Sequence, residues 1–184
     1  MHMIGSSMAG TLLAAAAVIA VAAGAAPAKS NYAEDRAAIE DLQARYMFAL
    51  DWQDADAYAG TFTEDGILDW AGGIVRGRDA IRGEVRGMRE RFAKHEAADA
   101  PLRPARLRHA ITNVVIRVDG NRAMARAYWF ELNDDGRDRR PYLAAYGHYE
   151  DELRKVDGQW LFSKRKIFNE QMDSRAAAAE NPAW

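Results

Sequence analysis

Four side chains of this sequence are of types that can move protons or hold developing charge, and three sit in short, unusual contexts. Asp51 lies in the stretch "YMFALDWQD", where it follows the apolar run Met47-Phe48-Ala49-Leu50 and precedes Trp52. A carboxylate beside an apolar face and an indole is costly to bury unless it is paired. Tyr46, in the same stretch, can donate a hydrogen bond to a carbonyl or a departing hydroxyl. His109 enters the β-branched run "RLRHAITNVVIRV", and an imidazole titrates near neutral pH and can take a proton from carbon or give one to a leaving group. Arg165, in "FSKRK", can hold a carboxylate or stabilise an enolate. Each has an ordinary reading as well. Asp51 could be a solvated helix-end carboxylate, His109 a plain strand histidine, Tyr46 a core residue with a wet hydroxyl, and Arg165 one of three alternating surface basics.

The inventory around these residues narrows the chemistry. The chain has 184 residues, no cysteine and four histidines, His2, His95, His109 and His148. Disulfides, thiolate nucleophiles and Cys-zinc sites are excluded, and a multi-histidine metal site has too few ligands. Twenty-five basic and 27 acidic residues leave a net charge of -2, so no global field favours nucleic acid or an anionic membrane. There is no P-loop, dinucleotide fingerprint or serine-hydrolase elbow. The basic helix around Arg82, Arg86, Arg89 and Arg91 is interleaved with Glu84 and Glu90 and reads as a solvated face. No metal and no cofactor is expected, and the expected partner is a small molecule.

Residues 1–28 differ in kind. "MAGTLLAAAAVIAVAAGAAPA" carries no charge and ends in Ala26-Pro27-Ala28, a small-residue cleavage pattern, although "MHMIGSS" before it lacks Lys and Arg. We read residues 1–28 as a signal peptide, with a periplasmic or secreted product and no stable membrane insertion after cleavage. A cytoplasmic location follows if the segment is not a cleaved signal.

The elements that must position the reactive groups follow from periodicity. Asn31 is a candidate N-cap for a helix over 33–50, with Ala38, Ile39, Leu42, Tyr46, Ala49 and Leu50 at helical spacing. A short helix is predicted over 54–62, then a turn at "TEDG" and short strands at "ILDW" and "GGIVRG". Ile81, Val85, Met88 and Phe92 predict a third helix. After Pro104 come four long β runs, with tight turns at Asp119-Gly120-Asn121 and Asp157-Gly158. The loop "NDDGRDRRP" reads as charged and solvated. Helices followed by antiparallel strands make an α+β fold, a curved, mostly antiparallel sheet wrapped against N-terminal helices and able to enclose a pocket. On simple strand alternation in the last run, Phe162 and Lys164 share one face while Ser163, Arg165 and Ile167 share the other.

Taken together, "AAIEDLQARYMFALDWQDADAYAGTFTEDGILDW", "RLRHAITNVVIRV" and "YGHYEDELRKVDGQWLFSKRKI" resemble the SnoaL-like branch of the nuclear-transport-factor-2-like superfamily. The resemblance is strongest to its scytalone dehydratase, bile-acid dehydratase and hexachlorocyclohexane dehydrochlorinase group, and spans about 33–168. It implies a cone-shaped α+β barrel over 29–170, a tail over 171–184, no cofactor, and a homo-oligomer, trimer ahead of dimer. It pairs Asp51 with His109, with Tyr46 and Arg165 completing the catalytic set. The chemistry agrees, since a carboxylate on one ring nitrogen fixes the tautomer and favours the imidazolium as it forms. Trp52, Phe62, Trp70 and Tyr128 are candidate substrate-binding aromatics. His148 is expected at the surface or a subunit interface, and His95 in solvent.

The function implied is a cofactor-independent lyase, eliminating water or another small group, or releasing an aldehyde by retro-aldol cleavage, from an apolar aromatic or polycyclic substrate. A ketosteroid-isomerase-like proton shuttle and a non-catalytic binding or structural subunit are the alternatives on the same fold. The leader makes its own prediction: N-terminal sequencing of the exported protein yields Lys29 as the first residue, and an intact Met1 in the exported fraction contradicts it.

Overall fold

The computed structural model describes residues 31–184, so the expected leader lies outside the described residues. The Asn31 side chain accepts a hydrogen bond from the Ala33 N–H and starts helix α1, Tyr32–Asp51, as its residue type predicts. One face of α1 is buried: Asp35, Ile39, Leu42, Gln43, Tyr46, Met47 and Ala49. Helix α2, Ala55–Gly60, is capped by Asp54, whose carboxylate accepts from the Ala57 N–H. Helix α3, Arg78–Asp99, buries Ile81 and Val85; Arg86 and Arg89 are exposed, Arg82 pairs with Asp56, and Arg78 donates to the Phe62 carbonyl. Among the described residues no helix is long and apolar enough to cross a membrane.

Six strands form one sheet: β1 Phe62–Trp70, β2 Gly73–Arg76, β3 Leu107–Asp119, β4 Arg122–Asn133, β5 Tyr142–Val156 and β6 Gln159–Ile167. Their order is β2-β1-β6-β5-β4-β3, with only the β1–β6 pair parallel. The sheet curls around α1 without closing, so β2 and β3 remain its edges. Turns β3–β4 and β5–β6 use the sequence's own signals. Gly120 has φ 55°, and Asp157 and Gly158 have φ 49° and 80°, the left-handed pair that a tight hairpin between right-twisted strands requires.

Two expectations need correction. "TEDG" is no turn but the middle of β1. From Phe62 to Ile67 β1 advances five positions while its partner advances only from Phe162 to Lys164, so residues 63–66 bulge outward. Gly66 is needed there, because a Cβ would stand 2.9 Å from Thr63 O and from Phe62 Cβ. Arg154 fastens the bulge by donating to Thr63 and Asp65. The loop after β4 is not simply solvated either: Asp134 and Arg139 are buried, and they join Arg103 and Asp99 in a clip between this loop and the end of α3. Nor is the C-terminal segment loose. Arg175 donates to the Asp69 carboxylate at 2.7 Å and to the carbonyls of Asp69 and Ile167, and Trp184 lies under the guanidinium of Arg117.

The simple alternation along β6 also fails, and the failure decides where Arg165 points. Glu152 pairs with Lys164 and Leu153 with Phe162, which leaves Ser163 without a partner. That single-residue bulge brings Phe162 and Arg165 to the same, inward side. Arg165 is therefore a core residue with no exposed surface. Its Nε and Nη2 donate to both oxygens of Asp151, at 2.8 and 2.7 Å, a bidentate pair in which neither side chain is exposed. The rings of Tyr46, Tyr149 and Phe162 surround the guanidinium with centroids at 4.2, 4.1 and 4.0 Å. Gln43 adds a third donor to Asp151 at 3.4 Å.

Removing one partner strands the other charge in a dry core. We expect Asp151→Ala to cost about 3–5 kcal/mol of unfolding free energy, read from urea denaturation; a loss below about 1 kcal/mol contradicts this account.

Candidate active site

Asp51 is the last residue of α1, and its carboxylate reaches the start of β3. There it does two things at once. Oδ2 accepts the backbone N–H of His109 at 2.9 Å, and Oδ1 lies 2.7 Å from the ring Nδ1 of the same residue. Backbone and ring are thus held by one carboxylate, with both side chains almost fully buried. A proton on Nδ1 donates to Asp51, which leaves Nε2 to face the cavity. The carboxylate at the helix end is a buried partner, not a solvated one.

Glu131 lies on the other side of the ring, with Oε2 3.5 Å from Nε2. It is the direct cross-strand partner of His109 in the β3–β4 ladder. Burial on its own would lower the His109 pKa, but Asp51 and then Glu131 outweigh it and push the value up from 6.5 to about 9. The ring is an imidazolium at neutral pH.

The dyad opens onto a cavity of about 210 Å³ between the sheet and α3. Tyr46, Tyr58, Trp70, Trp129 and Tyr149 give it aromatic walls; His109, Glu131, Glu84, Arg91 and Asn169 are its polar groups. The hydroxyls of Tyr46 and Tyr58 are 2.7 Å apart and buried. Burial raises both phenols, well above the ordinary value for Tyr58, so both keep their protons. One hydroxyl hydrogen satisfies the pair; the other remains to donate to a ligand oxygen. Trp129 is fixed by donating from Nε1 to Phe168 O at 3.0 Å. The turn after β6 presses so closely on β5 that a Cβ on Gly147 would sit 2.1 Å from that carbonyl.

The structure brings Tyr46, Asp51, His109 and Trp70 to this site. It does not bring the others. Arg165 lies behind Tyr46, and its charge is taken up by Asp151, so it supports a wall of the cavity instead of facing a substrate. Phe62 is sealed in the core against Phe162. Trp52 is 58% exposed outside the cavity, with Arg108 stacked 3.9 Å above its ring. Tyr128 points to the outer face of the sheet and is exposed. His148 is buried, not at the surface: its ring stacks on Phe168 at 4.3 Å, beneath the C-terminal segment. His95 is exposed. Sequence reading missed Glu131, Tyr58 and Glu84. Glu131 had a signal, for it continues the inward stripe Ala123, Ala125, Ala127, Trp129 of β4 as its one charged member.

An open, curved and mostly antiparallel sheet packed against N-terminal helices is a fold shared with known proteins. The chain belongs to the SnoaL-like domain family, whose model matches residues 31–166. Among solved structures, Rv3472 of Mycobacterium tuberculosis, a protein of unknown function, is 30% identical with a TM-score of 0.61, over 80% of this chain and 79% of that one. A candidate scytalone dehydratase from Novosphingobium aromaticivorans is 25% identical with a TM-score of 0.62, over 82% and 94%. An NTF2-like protein with a cystatin-like fold from the same species, 23% identical over 83% and 87% with a TM-score of 0.62, shares the fold. No curated protein matches the chain.

The raised pKa of His109 has two measurable consequences. Its folded value lies above the 6.5 of the free side chain, so its contribution to stability is complete below about pH 6.5 and is lost as pH rises through about 9. By NMR titration we expect the wild-type ring to ionise near 9, and Asp51→Asn to lower that value; an unchanged midpoint in the variant contradicts the pairing.

Proposed function

We propose that this protein is a cofactor-independent lyase that eliminates a small group, water first among the candidates, from a compact aromatic or alicyclic ketone. One observation carries the reading. A single carboxylate grips His109 by backbone and ring, which leaves the second ring nitrogen facing an aromatic cavity. A binding or structural subunit has no need of that arrangement. The Tyr46–Tyr58 pair supplies a donor for a substrate carbonyl, where negative charge grows as the neighbouring carbon loses its proton. His109 exchanges protons with substrate and leaving group. The candidate dehydratase among the similar structures points the same way.

Cavity size limits the substrate. About 210 Å³ falls below the roughly 300–1,000 Å³ of pockets that take drug-sized ligands. One or two fused rings fit this reading. The apolar row Val115, Met124, Tyr128 and Tyr146 on the outer sheet face supports self-association as part of the proposal.

A suitable probe is 3-hydroxy-1-tetralone, whose loss of water gives 1-naphthol and is followed by fluorescence and product mass. We expect turnover by the wild type and a loss of about 10²–10⁴-fold in His109→Ala with unchanged circular dichroism. A product of unchanged mass means an isomerase. Equal rates in wild type and variant sink the catalytic assignment.

A further inference from the structure

A resting imidazolium cannot accept a proton. If elimination runs from the form of the protein that is populated at neutral pH, some other group must take the proton from carbon. Two carboxylates line the cavity, Glu131 on β4 and Glu84 on α3. Glu131 is the one set beside the ring. It faces His109 across the β3–β4 ladder, its Oε2 lies 3.5 Å from Nε2, and about a quarter of its side chain remains open. No arginine or lysine pairs with Glu131 among the described residues, whereas Asp51 is fully engaged by His109. The two reactive atoms, Oε2 and Nε2, therefore present themselves side by side to the same face of anything in the cavity.

We infer that Glu131 is a catalytic base, and that it works with His109 as the acid in a same-face elimination. This rests on the lyase reading above. In the probe, Glu131 takes the proton from C2, next to the carbonyl. The electron pair of that C–H bond forms the C2–C3 double bond as the C3–O bond breaks. The leaving hydroxyl takes the proton from His109 Nε2 and departs as water, while the Tyr46–Tyr58 pair holds the carbonyl oxygen. The unsaturated ketone left behind tautomerises to 1-naphthol. The enzyme now holds a protonated Glu131 beside a neutral His109, and one proton transfer from Oε2 to Nε2 restores both. No proton is gained or lost by the protein over the cycle. Asp51 stays ionised throughout and is a positioning residue.

The division of labour separates from a mechanism in which His109 does everything. The charged and titratable groups around the ring are Asp51 and Tyr46 on α1, Tyr58 on α2, Glu84 and Arg91 on α3, Glu131 on β4 and Tyr149 on β5. With His109 as acid, the rate of water loss is level through neutral pH and falls above about 9, with a separate fall in acid as the Glu131 carboxylate is protonated; with His109 as base, it climbs toward 9. Deuterium uptake at C2 of 1-tetralone, which has no leaving group, isolates the base. We expect wild type and His109→Gln both to catalyse uptake in D2O, and Glu131→Gln to lose at least about 10²-fold in uptake and in water loss. Glu131→Asp, with a carboxylate on a shorter arm, recovers part of both. Wild-type uptake by Glu131→Gln, or a rate climbing toward pH 9, overturns the assignment to Glu131 while leaving the lyase reading intact. Wild-type protein that neither exchanges nor dehydrates these ketones sinks the lyase reading, and the assignment with it.

Discussion

A permanently charged guanidinium at the centre of the molecule constrains everything built around it. Arg165 has no access to water, and a bare charge in that position would be too costly to fold around. Asp151 answers it from the neighbouring strand with two hydrogen bonds, and three aromatic rings cover its faces and edges. These partners come from three elements: Tyr46 from α1, Asp151 and Tyr149 from β5, Phe162 from β6. The ion pair thereby sets how the first helix lies across the sheet. A hydrophobic residue at 165 could fill the space but would not fix that register, because dispersion has no direction whereas a bidentate pair does.

The site above this core reuses the same logic with a different outcome. Tyr46 is the partition between the two. Its ring covers Arg165, and its hydroxyl meets Tyr58 at the cavity. Below it, cation and anion neutralise each other completely. Above it, one imidazolium lies between two carboxylates, Asp51 and Glu131, an excess of negative charge that keeps the ring protonated. Stability and reactivity are thus handled by separate charge clusters a ring's thickness apart.

Much of this was legible in the sequence. The helix carrying Asp51, its Asn31 cap and the four long strands follow from capping chemistry and periodicity. The pairing of Asp51 with His109 was visible only through resemblance, since nothing local ties residues 58 positions apart. What escaped did so for a common reason: period-two reasoning assumes unbroken strands. The bulge at Ser163 turned Arg165 inward, and the bulge at 63–66 disguised strand as turn. Bulges depend on what the partner strand needs, which a linear reading does not contain. Glu131 escaped because a charge at a core-facing position looks like an error until its partner across the ladder is known. The aromatics Trp52 and Tyr128 misled because composition does not distinguish a wall from an outer face.

Helix α3 contributes Glu84, Val85, Met88 and Arg91 to the cavity wall, while the Asp–His pair, its neighbouring glutamate and the tyrosine donors all belong to α1, α2, β3 and β4. One wall of the cavity is therefore written on a different part of the chain from these groups. A lineage exploring new substrates can vary one amphipathic helix, one turn at a time, and keep its proton-handling groups untouched. That modularity makes α3 the natural place to randomise in a library aimed at altered substrate scope, and makes comparison of α3 sequences among relatives the most direct guide to where their substrates diverge.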